Sequence, residues 1–142
     1  MVIGGHGDTT MIPLTRLASY NGIPVSQFLS EDELKKVAAD TMVGGATLTG
    51  LLGTSAWYAP GASVAFLVDS ILNDQKKMIA CSAFVEGEYG QNDICIGVPC
   101  IIGKNGVEEI LDIKLNDAEK ALFTKSADAV RQMNDALKSI LV

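Results

Sequence analysis

Arginine is the scarcest charge on this 142-residue chain, present only as Arg16 and Arg131. Small anions are usually gripped by that planar, two-pronged donor, so few such grips can be built here. No run of Lys or Arg exceeds a pair, and 17 acidic residues face 11 basic ones for a net charge of −6. A nucleic-acid partner needs a basic patch, and none is legible. Cysteine is sparse as well. Cys81, Cys95 and Cys100 make an odd count with no C-x-x-C pair, which excludes a disulfide framework and the spacing of a metal site. All three are expected to be reduced, buried, small apolar residues of a cytoplasmic protein. Cys95 and Cys100 differ in parity, so a regular strand points them to opposite faces. No basic region or long apolar run follows Met1, so no secretory leader is expected. Linkers, repeats and low-complexity segments are missing too. The nearest thing to a membrane span is the uncharged stretch 41–68. Twelve of its 28 residues are Gly, Thr, Ser or Pro, and Pro60 interrupts it. A bilayer helix is an apolar run of about 20 residues, so this stretch is expected to form two buried helices and no membrane contact.

What is present describes one α+β unit over residues 1–142. The chain is 48% hydrophobic and 20% charged, which excludes a disordered protein, and its length allows a real core. An apolar strand end and a glycine-rich turn open it. Asn21-Gly22 lies between apolar runs and predicts a tight hairpin, because both residues tolerate positive φ. Ser30 and Glu33 form a capping box ahead of a helical pattern from Leu34 to Leu52. Gly44-Gly45 weakens that helix and is expected to be compensated by close approach of another backbone. After a break from Gly53, Pro60 suits the first turn of a second helix reaching about residue 74. Strands follow at about 77–86, 93–102 and 107–112 as a meander. The middle strand is apolar on both parities and so should be central. Asn116, with Glu119 three residues on, caps a last helix whose inner face is expected to hold Ala118, Leu122, Ala129, Val130, Met133, Leu137 and Ile140.

The only histidine, His6, stands in Gly4-Gly5-His6-Gly7-Asp8-Thr9. Glycines beside it allow positive φ and close approach of a ligand, and a histidine side chain exchanges protons near neutral pH without a large shift. On chemistry alone it is either a catalytic acid–base or a loop histidine that merely hydrogen-bonds. The run Ile3 to Leu14, in which His-Gly-Asp is followed by a short apolar strand with proline, resembles the active-site motif of the NAD-dependent malate and lactate dehydrogenase family. The resemblance continues through Asn21-Gly22-Ile23-Pro24-Val25 and through the segment from Gly53 to Ser63. The meander and last helix also fall in the family's order, so it covers essentially the whole chain.

That resemblance implies the family's C-terminal, substrate-side domain: an antiparallel hairpin and a three-stranded meander packed with long helices, the Rossmann domain absent. It implies His6 as proton acceptor and donor in the reversible NAD-dependent oxidation of (S)-malate to oxaloacetate, a step of the tricarboxylic acid cycle. Ala56 falls where lactate enzymes usually carry a threonine beside the substrate. The run Tyr58-Ala59-Pro60-Gly61-Ala62-Ser63 looks like the malate enzymes, and Pro60 matches a position near the nicotinamide. Both also have plain structural readings, Pro60 as a helix starter and Ala56 as packing. No G-x-G-x-x-G follows a strand, so NAD is expected to be bound mainly by an N-terminal Rossmann domain of a longer parent chain. The family's Asp-x-x-Arg segment, which orients the histidine and grips a substrate carboxylate, is not found either. Asp8 is expected to fix the loop as an acceptor. Arg16, in a strand-like run, is expected to make a surface or subunit contact. The chain alone should therefore be inactive. A lactate or other 2-hydroxy-acid dehydrogenase domain and a non-catalytic oligomerisation module remain alternatives. The small residues across 41–68 support the oligomerisation module, and the chain's apolar character leads us to expect a homo-oligomer.

Overall fold

The computed structural model describes residues 1–138 and 140. Its centre is a five-stranded antiparallel sheet built on the strand with apolar residues at both parities. We number the strands β1 (Val2–Gly4), β2 (Met11–Pro13), β3 (Ser19–Tyr20), β4 (Ile23–Pro24), β5 (Lys77–Glu86), β6 (Asn92–Gly103) and β7 (Gly106–Ile110). The long helices are α1 (Glu31–Leu52), α2 (Tyr58–Leu72) and α3 (Asp117–Lys138). β6 pairs along its length with β5, while β1 and β7 share its other edge and β2 continues the sheet beyond β1. Ile94, Ile96, Val98, Cys100 and Ile102 of β6 point every second residue into the core, as the period of a strand requires. They meet Ile3, Ile12, Ala83 and Val85 from neighbouring strands and Phe123 and Ala127 from α3.

Local signals hold where the sequence placed them. Asn21 (φ 50°) and Gly22 (φ 82°) make the two-residue turn between β3 and β4. The Ser30–Glu33 capping box starts α1, and left-handed Gly53 ends it. Asn116 and Glu119 exchange backbone and side-chain bonds at 2.9 Å each to start α3. Pro60 lies in the first turn of α2.

Four expectations about surroundings are corrected. The helices within 41–68 are not buried: among the described residues none of α1 is buried, and Leu51 and Tyr58 are 81% and 93% exposed. No backbone approaches Gly44-Gly45; a Cβ at either would meet nothing within 4 Å among the described residues. α3 turns Phe123, Ser126 and Ala127 inward with Val130 beside them, leaving Leu122, Met133, Leu137 and Ile140 exposed. The helix carries two apolar stripes about one residue out of phase, and the sheet covers only one of them. Finally, the thiols are all free but not all buried, since Cys95 faces solvent and Cys81 is half-buried.

Arg16 sits in a 3-10 turn (Thr15–Leu17), not in a strand. Its guanidinium grips both carboxylate oxygens of Glu119 at 2.7 and 2.9 Å and the Lys114 carbonyl at 2.6 Å. This short turn and the start of α3 are thereby tied together.

Candidate active site

His6 projects from the six-residue loop joining β1 to β2, with its side chain in solvent. Two hydroxyl side chains shape that loop. Thr10 Oγ1 accepts the Gly7 amide at 2.9 Å and donates to the Gly7 carbonyl at 3.2 Å. Ser126 Oγ, from α3, accepts the Gly5 amide and donates to the Thr10 carbonyl, both at 2.7 Å. The glycines follow from this crowding. Gly4 has φ 90°, and a Cβ there would lie 2.6 Å from the Thr10 carbonyl and 2.9 Å from Ser126 Oγ. At Gly5 a Cβ would meet Thr10 Oγ1 at 2.7 Å. No side chain fits at either place, so the loop can close only around glycine. On the sheet side, Gly4 pairs with Gly97 of β6, where a Cβ would stand 2.5 Å from the Gly4 carbonyl.

Beside the loop is a hollow of about 530 Å³, lined by His6 with Gly4, Gly5, Met11, Ser82, Cys95, Gly97 and Val130. Its walls are small or apolar, and His6 is the group on them that suits proton transfer near neutrality. A larger hollow of about 800 Å³ lies at the start of α3, lined by Tyr89, Asp112, Lys114, Lys120 and Phe123 among others. It contains none of the residues that the sequence singles out, so we place the candidate site at His6.

The remaining predicted residues are not gathered there. Ala56 is half-buried in the connection between α1 and α2, and Pro60 is exposed in α2; neither lines the His6 hollow. Asp8 is exposed and takes no part in the bonds that hold the loop; that role belongs to Thr10 and Ser126. Sequence reasoning missed Ser126. Its signal was a hydroxyl between Phe123 and Ala127 on a stripe that continues to Val130, a polar residue at a core position. Both arginines are committed elsewhere. Arg16 holds Glu119, and Arg131 donates to Gln91 Oε1 at 2.9 Å and lies 3.5 Å from Asp128.

These residues fit part of a dinucleotide site only. A flat ring could approach the imidazole past the small side chains of the hollow. A pyrophosphate would need free amides and cations, and the Gly5 and Gly7 amides are already taken by Ser126 and Thr10. Among the described residues no cluster of His, Cys, Asp and Glu could hold a metal, and no helix is long and apolar enough to cross a membrane.

Comparison with known proteins agrees with this geometry. The family model described as lactate/malate dehydrogenase, alpha/beta C-terminal domain, matches residues 1–140. A malate dehydrogenase of Flavobacterium frigidimaris is 93% identical over 142 residues, which are 100% of this chain and 46% of that protein. The solved malate dehydrogenase of Salinibacter ruber superposes with a TM-score of 0.95 at 41% identity, covering 99% of this chain and 46% of that one. Lactate dehydrogenase of Eimeria maxima, solved with NADH and oxamate, gives a TM-score of 0.93 at 39% identity over 98% of this chain and 44% of that one. The chain thus spans about half the length of the relatives it matches.

Proposed function

The chain belongs to the lactate/malate dehydrogenase family, and from that membership we propose that it is the substrate-side half of an NAD-dependent malate dehydrogenase, with His6 as its proton-transfer group. The observation that carries this reading is the state of His6. It is the chain's only imidazole, exposed, on a loop pinned from two sides, and its ring has no hydrogen-bond partner among the described residues. A histidine that merely tied the loop together would bond it, and here Thr10 and Ser126 do that instead.

Bound NAD supplies the hydride acceptor for malate oxidation, and the carrier of hydride in the reverse direction. This chain supplies the proton path. In oxidation, neutral His6 takes the proton from the C2 hydroxyl as C2 loses its hydride and becomes the keto carbon of oxaloacetate. In reduction, protonated His6 returns that proton to the keto oxygen. The two substrate carboxylates need cationic partners, and neither Arg16 nor Arg131 is free to serve. Those partners, like the grip on the dinucleotide phosphates, come in this reading from an N-terminal Rossmann domain outside these residues. The chain alone therefore does not turn over malate. Ala56 stands on the substrate side and Pro60 on the cofactor side of the assembled site. Ala56, where a lactate enzyme would carry threonine, and the 93% identity to a malate dehydrogenase both support malate over lactate. Three free thiols suit a reducing cytoplasm.

A separate observation supports a homo-oligomer. α1, α2 and the connection between them leave Val37, Val43, Leu51, Trp57, Tyr58 and Phe66 exposed, a surface far more apolar than a lone subunit needs.

The test is NADH oxidation by the enzyme prepared at its relatives' length, with oxaloacetate and pyruvate as competing substrates. Oxaloacetate should be preferred, and a preference for pyruvate would replace malate by lactate. His6→Ala should lower kcat by about 10²–10⁴-fold while cofactor affinity holds. Near-normal turnover in a stable His6→Ala enzyme removes His6 from the mechanism.

A further inference from the structure

We infer that Ser126 is a positioning residue for His6: its single hydroxyl, reaching from α3, sets the direction in which the imidazole faces its substrate. The inference rests on the reading of His6 as the proton-transfer group. Ser126 is 2% exposed, and its Oγ bonds both ends of the His6 loop, accepting from Gly5 and donating to Thr10 at 2.7 Å each. The first partner is the residue immediately before His6. The second is the last residue before β2. A serine inside a helix ordinarily bonds back to its own preceding turn. Ser126 instead reaches segments 121 and 116 residues away in sequence.

The helix behind this hydroxyl is itself held on both sides of Ser126. Glu119, two turns earlier, is held by Arg16, and Arg131 holds Gln91 and the Asn92 carbonyl beyond it. The loop cannot drift inward, because Gly4 is already packed against Ser126 and the Thr10 carbonyl. Without Oγ, the Gly5 amide and the Thr10 carbonyl lose their partners, and the loop relaxes toward water to recover them. His6 moves with it. A misplacement of about 1 Å is enough to slow a positioned reaction by about 10²-fold.

The sole histidine makes the test direct, since its ring signals in an NMR spectrum have one source. Spectra are taken of the 142-residue chain as wild type, Ser126→Ala and Phe123→Leu. The last variant truncates a core residue on the same helix that packs on Tyr89 and makes no bond to the loop. Ser126→Ala should shift the His6 ring signals and speed Gly5 amide exchange by about tenfold or more. Phe123→Leu should do neither, although it also lowers the melting temperature. In the longer enzyme, Ser126→Ala should cut kcat by about 10–100-fold and change KM by less than about threefold. Unmoved His6 signals, an equal effect from Phe123→Leu, or unchanged kcat would each overturn the inference. If Ser126→Ala does not melt cooperatively, Ser126→Cys carries the comparison. A thiol is a poor donor, so kcat should fall at least about threefold, and parity with wild type overturns the proposal. An enzyme inactive with both oxaloacetate and pyruvate would defeat the functional reading, while the His6 spectra would still decide the role of Ser126.

Discussion

A methyl group at Gly97 would meet the Gly4 carbonyl at 2.5 Å. The obstacle is backbone, so no side chain can swing aside. Gly97→Ala should push β1 off β6 and cost about 1–3 kcal/mol, as overpacked sites do. Urea melts measure this, and an unchanged midpoint would show that β1 is not held where we place it. The cysteines separate by the same kind of local fact. Burial pushes the Cys100 thiol up to about 12 and raises Cys81 beside it, whereas the Cys95 side chain lies on the solvent face. A thiol-labelling reagent near pH 8, about the ordinary thiol range, should modify Cys95 first. Cys100 should react only after unfolding in guanidinium, and prompt labelling of Cys100 in the folded chain would contradict its burial.

At the scale of elements, α3 is the member that ties distant segments together. Its first turn depends on Glu119, whose carboxylate accepts from Arg16 and from the Asn116 amide. The side-chain bond from Arg16 is the larger cause, and together they hold the Glu119 carboxyl below its usual range. Stability from a carboxyl shifted downward is present above its unfolded value and is lost as pH falls through the lower folded value. Glu119→Gln should therefore lower the melting temperature near neutral pH. The gap from wild type should shrink as pH falls from about 6 toward 3. Thermal melts across that range check it, and a gap that stays constant would mean the ion pair contributes nothing. α1 starts just as firmly, with Glu33 held below its usual range by the Ser30 amide and hydroxyl. Unlike α3, it then runs for 22 residues without burying one of those described.

For the whole molecule, the exposed end of that helix and the start of α2 after it are the main energetic anomaly. Leu51, Trp57 and Tyr58 are 81%, 72% and 93% exposed. Gly44 and Gly45 leave open space where another backbone could lie close. Light scattering at about 100 μM should report a mass well above the 15.0 kDa of one chain. Leu51→Glu combined with Val43→Glu should lower it. A clean monomer would leave these apolar helices without the second chain that we assign to them.

Signals that are satisfied within a few residues were legible in the sequence by itself. The Ser30–Glu33 and Asn116–Glu119 boxes, the Asn21-Gly22 turn, the stop at Gly53 and the central β6 all depend on neighbours along the chain or on parity. The glycine-flanked His6 loop was legible for the same reason, as was its likeness to a family. What covers each face was decided only by the tertiary structure. α3 offers two apolar stripes, and which one meets the sheet is not a property of α3. Residues 41–68 look like core because they are apolar, yet of that stretch Leu67 alone, on α2, packs against the core cluster among the described residues. Arg16 carries no local mark of its role, and the core position of Ser126 marks a buried hydroxyl without naming what it bonds, since their partners lie 103 and 121 residues away. A hydrogen bond across that distance in sequence exists only after the chain has folded, and so only the folded chain reveals it.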